Sequence, residues 1–186
     1  MTAPATPIGL PYGRALTRDD LAAMPDDGHR YELIDGTLIV TPAPGYDHQS
    51  GVIELLVMLR AVCPVEFKVM IAPFDVVFGK KTVLQPDLLV ARRTDFTARD
   101  LPKVPVLAVE ILSPSTRHID LGLKRSRYEA AGCPSYWVID PSVPSIMAWE
   151  LTDGKYELVG EVKGEEPLRL SDPYPVEIVP ARLLDG

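Results

Sequence analysis

Apolar and polar positions along the chain form short runs whose period switches between strand and helix. Tyr31-Glu32-Leu33-Ile34 and Thr37-Leu38-Ile39-Val40 are two β-type runs around Asp35-Gly36, a pattern that predicts a hairpin. From Asp47 to about Val62 the period is helical. His48, Val52, Leu55, Leu56, Leu59 and Val62 share one face, and Pro64 ends the helix. Three β-type runs follow, Val65 to Ile71, Phe74 to Phe78 and Val83 to Ala91, with a turn at Gly79-Lys80-Lys81 before the third. Val104 to Leu112 is almost continuously apolar and reads as a central strand buried on both faces. Ser113-Pro114-Ser115-Thr116 is a turn and cap, and a helix from about Asp120 to Ala131 ends at Gly132. Tyr136 to Ile139 is a buried strand. Ile146 to Leu151 and Tyr156 to Val162 form a second hairpin around Asp153-Gly154. Thr17-Arg18-Asp19-Asp20 opens a short helix to about Met24, and a short edge strand is expected at Val176 to Val179.

This order predicts an α/β (α+β) fold, a central mixed sheet flanked by helices with a hairpin towards each end, and not the regular alternation of a Rossmann chain. No glycine-rich phosphate loop is present, which weighs against nucleotide-dependent chemistry. The 186 residues fit one domain, with 1–16 a flexible arm and 163–186 a Pro/Glu-rich tail. With 46% apolar and 24% charged residues, disorder throughout, collagen and coiled coil are excluded; 19 prolines argue against a long-helix bundle. No apolar stretch is long enough to span a membrane, and Met1 to Pro11 lacks the basic start and apolar core of a signal peptide. Cys63 and Cys133 have no metal spacing and read as buried thiols in a reducing cytoplasm.

A net charge of −7 argues against nucleic acid as a partner until its distribution is considered. Residues 140–186 hold ten acidic and four basic side chains, whereas 80–131 hold ten basic and six acidic. The middle of the chain is therefore able to face phosphates, although a solvated basic face would have the same composition.

Two carboxylates stand where apolar side chains belong. Glu110 lies inside the central run, on one face with Ala108 and Leu112, while Leu107, Val109 and Ile111 take the other. Asp87 follows Pro86, which removes a ladder donor and suits a local break where a side chain is re-aimed. A buried ionised carboxylate is costly unless it is paired or bound to a metal. Two such acids on strands meeting at one end of a sheet suit a divalent cation held by carboxylates and substrate phosphate oxygens. The competing reading gives each acid its own arginine or a loop to cap.

Four segments carry a resemblance: Tyr31-Glu32-Leu33-Ile34-Asp35-Gly36, Gln85-Pro86-Asp87-Leu88, Val109-Glu110-Ile111-Leu112-Ser113-Pro114-Ser115-Thr116, and Tyr136-Trp137-Val138-Ile139-Asp140-Pro141. In order and spacing, over about residues 28–160, the chain resembles the bacterial Uma-type restriction endonucleases, a branch of the PD-(D/E)XK nuclease superfamily. The resemblance implies a restriction-endonuclease-like core, Mg²⁺ or Mn²⁺ at the carboxylates, and DNA as substrate. It makes Asp87 the acid of the Pro-Asp element and Glu110 the acid of the second element, both catalytic and metal-binding. The superfamily pattern expects lysine two positions after Glu110, and Leu112 stands there. The implied replacement is Lys124, one turn after Asp120 on the following helix.

Other residues carry two readings each. Glu32 is a third oxygen ligand or an exposed strand residue. His48 is a hydrogen-bonded core histidine or a catalyst. Ser113 and Thr116 cap a helix or meet an anion at its entrance. Asp75 belongs to the site or to solvent. Lys124, Arg125 and Arg127 are a phosphate-contacting cluster or helix-surface charges, and Tyr136 and Trp137 read as core packing. The function expected is a metal-dependent endonuclease, with possible pairing of two chains. The alternatives are a nuclease-fold protein that binds nucleic acid or a partner without cutting, and a metal-free carboxylate pair acting as in glycosidases. Two tryptophans are few for sugar platforms.

Overall fold

The computed structural model describes residues 13–184; most of the expected N-terminal arm, residues 1–12, lies outside the described residues. A short helix α1 (Arg18–Leu21) leads to the hairpin β1 (Arg30–Ile34) and β2 (Thr37–Thr41). Helix α2 (Tyr46–Val62) follows, then strands β3 (Phe67–Ile71), β4 (Asp75–Val77), β5 (Val83–Leu84), β6 (Leu88–Arg92), β7 (Asp100–Leu101) and β8 (Leu107–Ile111). A π-helical turn (Ile119–Lys124) runs directly into α3 (Arg125–Ala131), and β9 (Ser135–Asp140), β10 (Ser145–Thr152), β11 (Lys155–Lys163), β12 (Leu168–Leu170) and β13 (Val176–Ile178) complete the order.

The central sheet has six strands in the order β11-β10-β9-β8-β6-β3. Strands β8 and β9 are parallel and the other neighbours antiparallel, so the sheet is mixed. A parallel pair needs a crossover, and the π-turn with α3 supplies it. All five residues of β8 are buried. Its alternation sends Leu107, Val109 and Ile111 to a cluster with Leu55 and Leu59 of α2, and Ala108 to the opposite cluster with Tyr128, Tyr136 and Trp149.

A second sheet, β2-β1-β5-β4-β7, stands beside the first. The single run expected from Val83 to Ala91 is divided: β5 joins the small sheet and β6 the central one, with Gln85-Pro86-Asp87 passing between them. Pro86 cannot donate to a ladder, and the chain changes sheets at that point. The described part of the expected Pro/Glu-rich tail, residues 163–184, packs on the rest of the chain. Leu168, Leu170, Tyr174, Ile178 and Leu183 pack into the α2 cluster, and the Tyr174 hydroxyl donates to the Leu59 carbonyl at 3.2 Å. Apolar residues two apart, Leu168/Leu170 and Val176/Ile178, build the β12–β13 pair. No helix among the described residues is long and apolar enough to cross a membrane.

Both expected hairpin turns place an Asp-Gly pair at positive φ: Asp35 and Gly36 at 53° and 81°, Asp153 and Gly154 at 49° and 78°. Gly36 has a second constraint, since a Cβ there would lie 2.6 Å from the Ala15 Cβ. Gly36→Ala is expected to cost about 1–3 kcal/mol, read as a fall in Tm. Gly28→Ala, with no heavy atom within 4 Å of its would-be Cβ, should cost less.

Candidate active site

Four elements deliver carboxylates to one buried place. Glu32 projects inward from β1, Asp87 from the passage between the two sheets, Glu110 from β8, and Asp120 from the π-turn; all four are buried. Lys124, also buried, stands among three of them. Its Nζ lies 3.1 Å from Glu32 Oε1, 3.2 Å from the Glu110 carboxylate and 3.5 Å from Asp120 Oδ1. The π-turn puts Asp120 and Lys124 on the side facing β8, and the Tyr136 hydroxyl fixes that turn by donating to the Asp120 carbonyl at 2.8 Å. Leu112, two residues after Glu110, belongs to the apolar cluster on Tyr128 and Tyr136, so the nearby ammonium comes from Lys124.

Asp87 has different partners. Its Oδ1 accepts from Arg30 Nη1 at 2.7 Å; its Oδ2 accepts from the Ile111 backbone N–H at 2.8 Å and from His48 Nε2 at 3.0 Å. Arg30 Nη1 also reaches the Gln85 carbonyl at 3.2 Å, and the Gln85 N–H donates to Glu32 Oε1 at 2.7 Å. Asp87 and Glu32 are thus joined through one residue of the passage. Asp75 is joined as well, because the Gln85 side-chain amide donates to it at 2.8 Å.

The electrostatics divide the acids. Burial alone would push Asp87 up, but the His48 hydrogen bond and the Arg30 charge outweigh it and hold the carboxyl below the usual carboxylate range. Burial drives Glu110 well above its ordinary value, opposed by Lys124 and reinforced by Asp120, Asp87 and Glu32. Asp120 is raised for the same first reason. Lys124 is held above its ordinary value because four acids outweigh its own desolvation.

Four buried acids share two cations, Arg30 and Lys124, so acidic groups outnumber cations. Glu110 Oε1 and Asp120 Oδ1 accept no hydrogen bond, and Lys124 Nζ is their ion-pair partner at 3.2 and 3.5 Å. The donors are hard oxygens of the kind a divalent cation takes. Among the described residues, no group of three or more His, Cys, Asp or Glu side chains is arranged to hold a metal ion.

A cavity of about 780 Å³ reaches Asp87, lined among others by Arg30, His48, Asp75, Gln85 and Arg99. Glu32, Glu110 and Lys124 are not among its lining residues.

The remaining candidates separate. The Ser113 hydroxyl lies 3.0 Å from those of Ser115 and Thr116, within the turn that opens the π-helix. Lys124, Arg125 and Arg127 do not form a surface cluster. Lys124 is buried, Arg125 lies 5.0 Å over the Trp149 ring, and Arg127 pairs with Asp35. Tyr136 and Trp137 are fully buried. Arg30 and Gln85 escaped the sequence reading. Arg30 lies two positions before Glu32 on the same strand face, a signal that alternation supplied.

The sequence from residue 18 to 183 matches the family model Uma2, described as "Putative restriction endonuclease". No curated protein matches the sequence. Among solved structures, one described as "a putative nuclease belonging to DUF820", from Anabaena variabilis, superposes with a TM-score of 0.71 at 17% identity, covering 91% of this chain and 97% of the other. That likeness shows the fold. The family match spans most of the chain, which therefore belongs to the Uma2 family of restriction-endonuclease-like proteins.

Proposed function

We propose that the protein is a divalent-metal-dependent endonuclease that hydrolyses phosphodiester bonds of DNA, in the cytoplasm, with two copies pairing on a duplex. The observation that carries this reading is the gathering of Glu32, Asp87, Glu110 and Lys124 beside a cleft that Asp87 lines. Asp87 and Glu110 would hold Mg²⁺ or Mn²⁺, with Glu32 as a third oxygen donor. The bound ion supplies Lewis-acid polarisation of a phosphoryl oxygen and acidifies a water.

The chain's own groups do the rest. Arg30, His48 and the Ile111 N–H keep Asp87 ionised and aimed. Lys124 neutralises part of the charge of Glu110 and Glu32, and in this reading its charge acts on phosphate from outside the cleft lining. Asp120 holds Lys124 from behind, and Ser113 shapes the entrance to the turn that carries both.

Supercoiled plasmid should be nicked with Mg²⁺ or Mn²⁺ and left intact with EDTA, and Asp87→Ala should abolish nicking. Equal nicking by wild type and Asp87→Ala would sink the reading. The second reading is a binder that does not cut. It is motivated by Asp87, both of whose oxygens already accept hydrogen bonds. It predicts salt-dependent DNA binding with no metal requirement and no cleavage in the same experiment.

A further inference from the structure

We infer that Arg30 is a displaceable counter-ion: it occupies Asp87 in competition with a divalent cation and, once released, presents its guanidinium to a substrate phosphate in the cleft. This rests on the reading of Asp87 as a metal ligand.

Asp87 offers no oxygen without a partner. Oδ2 is held by the Ile111 backbone N–H, which is fixed by β8, and by His48 on the inward face of α2. Among the described residues, Oδ1 accepts its hydrogen bond from Arg30. A cation that takes Asp87 therefore meets Arg30 at the position where the least has to move. Among the two side-chain partners Arg30 is the more exposed, at 17% against 10% for His48. It lines the cleft, so its long side chain can leave Asp87 without crossing the core.

Charge gives the same answer. With Arg30 and Lys124 in place the four acids still form a surplus over the cations. A divalent ion nearly cancels that surplus, and a guanidinium beside it is then repelled from Asp87. The cleft is where such a group finds a new partner, since a planar fork suits a phosphate bidentately. The Gln85 carbonyl, 3.2 Å from the same Nη1, is the hinge contact that keeps Arg30 nearby.

Competition predicts opposite signs for two measurements, and a merely structural arginine does not. Arg30→Gln should bind Mn²⁺ about tenfold or more tightly in calorimetry, because one opposing charge is gone, while its KM for DNA rises about tenfold. Arg30→Lys should fall between wild type and Arg30→Gln in both, because it keeps the charge and loses the fork; it carries the test if Arg30→Gln does not fold. Asp87→Asn should lose the Mn²⁺ binding in every background. Equal or weaker Mn²⁺ binding in both Arg30 variants, with binding still lost in Asp87→Asn, overturns the Arg30 inference alone. Mn²⁺ binding that survives in Asp87→Asn, or is absent from all variants, overturns both it and the metal reading. Binding absent in wild type and present in Arg30→Gln supports it.

Discussion

Glu110→Gln should lose at least about a hundredfold in plasmid nicking while its unfolding free energy stays within about 1 kcal/mol of wild type or rises above it. The two halves of that result come from one cause. Glu110 is fully buried, and its neighbours Asp120, Asp87 and Glu32 all disfavour its ionised form. Gln keeps the shape and removes a charge that the fold does not favour. Lys124 keeps Glu32 and Asp120 as partners. The same charge is what a metal ligand needs, so function and stability are set against each other at this one side chain.

The pH dependence fixes the sign. The folded-state pKa of Glu110 lies above its ordinary value. Its contribution to stability is therefore fully present below the ordinary glutamate range and is lost as pH rises through the folded value. Gln lacks that descending contribution, so its stability relative to wild type should increase with pH. Asp87 has the opposite sign. Its folded-state pKa is lowered, so its contribution is present at neutral pH and lost as pH falls below the ordinary aspartate range. Urea unfolding of wild type and Glu110→Gln from pH 4 to 8 checks the Glu110 sign; a gap that narrows with rising pH would contradict the burial account of Glu110.

What the sequence disclosed about the fold was local. Asp-Gly turns at 35–36 and 153–154, the apolar run at β8 and the glycine at 132 each act within a few residues; the strand β8 is shorter than its apolar run, and the helix before Gly132 opens as a π-turn. Strand alternation also separated the two faces of β8. What it did not disclose is non-local. Nothing in Val83 to Ala91 says that its two halves serve different sheets; only the small sheet's need for a partner for Leu33, met by Val83, makes that visible. The edge strand expected at Val176 to Val179 is β13, but charged and proline residues hid its partner β12 and the docking of both.

The site shows the same division. Misplaced carboxylates are visible as breaks in apolar patterns, which is how Asp87 and Glu110 draw attention. The reach of Lys124 depends on a π-helical turn that no periodicity announces. Composition suggested a basic helix surface at Lys124, Arg125 and Arg127; packing sends the three side chains to three different partners. Arg30 went unnoticed because an arginine at a strand start looks solvated until its partner, 57 positions away, is known.

Lys124→Met should be the most damaging single change, costing about 3–5 kcal/mol of stability and abolishing nicking. It removes the ammonium facing Glu32, Glu110 and Asp120 and leaves three buried acids without it, and breaking a buried pair from one side strands charge in a medium that cannot solvate it. Two rescues separate this cause from loss of packing. Lowering the pH from 7 towards 5 should narrow the deficit, because Glu110 and Asp120, already raised by burial, protonate more readily once their cation is gone. Adding Glu110→Gln to Lys124→Met should restore part of the stability. The double-mutant cycle then reports a coupling of about 1–3 kcal/mol between positions 110 and 124. Nicking should not return in the double variant, since both the acid and the ammonium are missing. If the deficit is the same at every pH and the two substitutions add without coupling, the lysine acts as packing, and the charge balance described for Glu32, Glu110 and Asp120 is wrong.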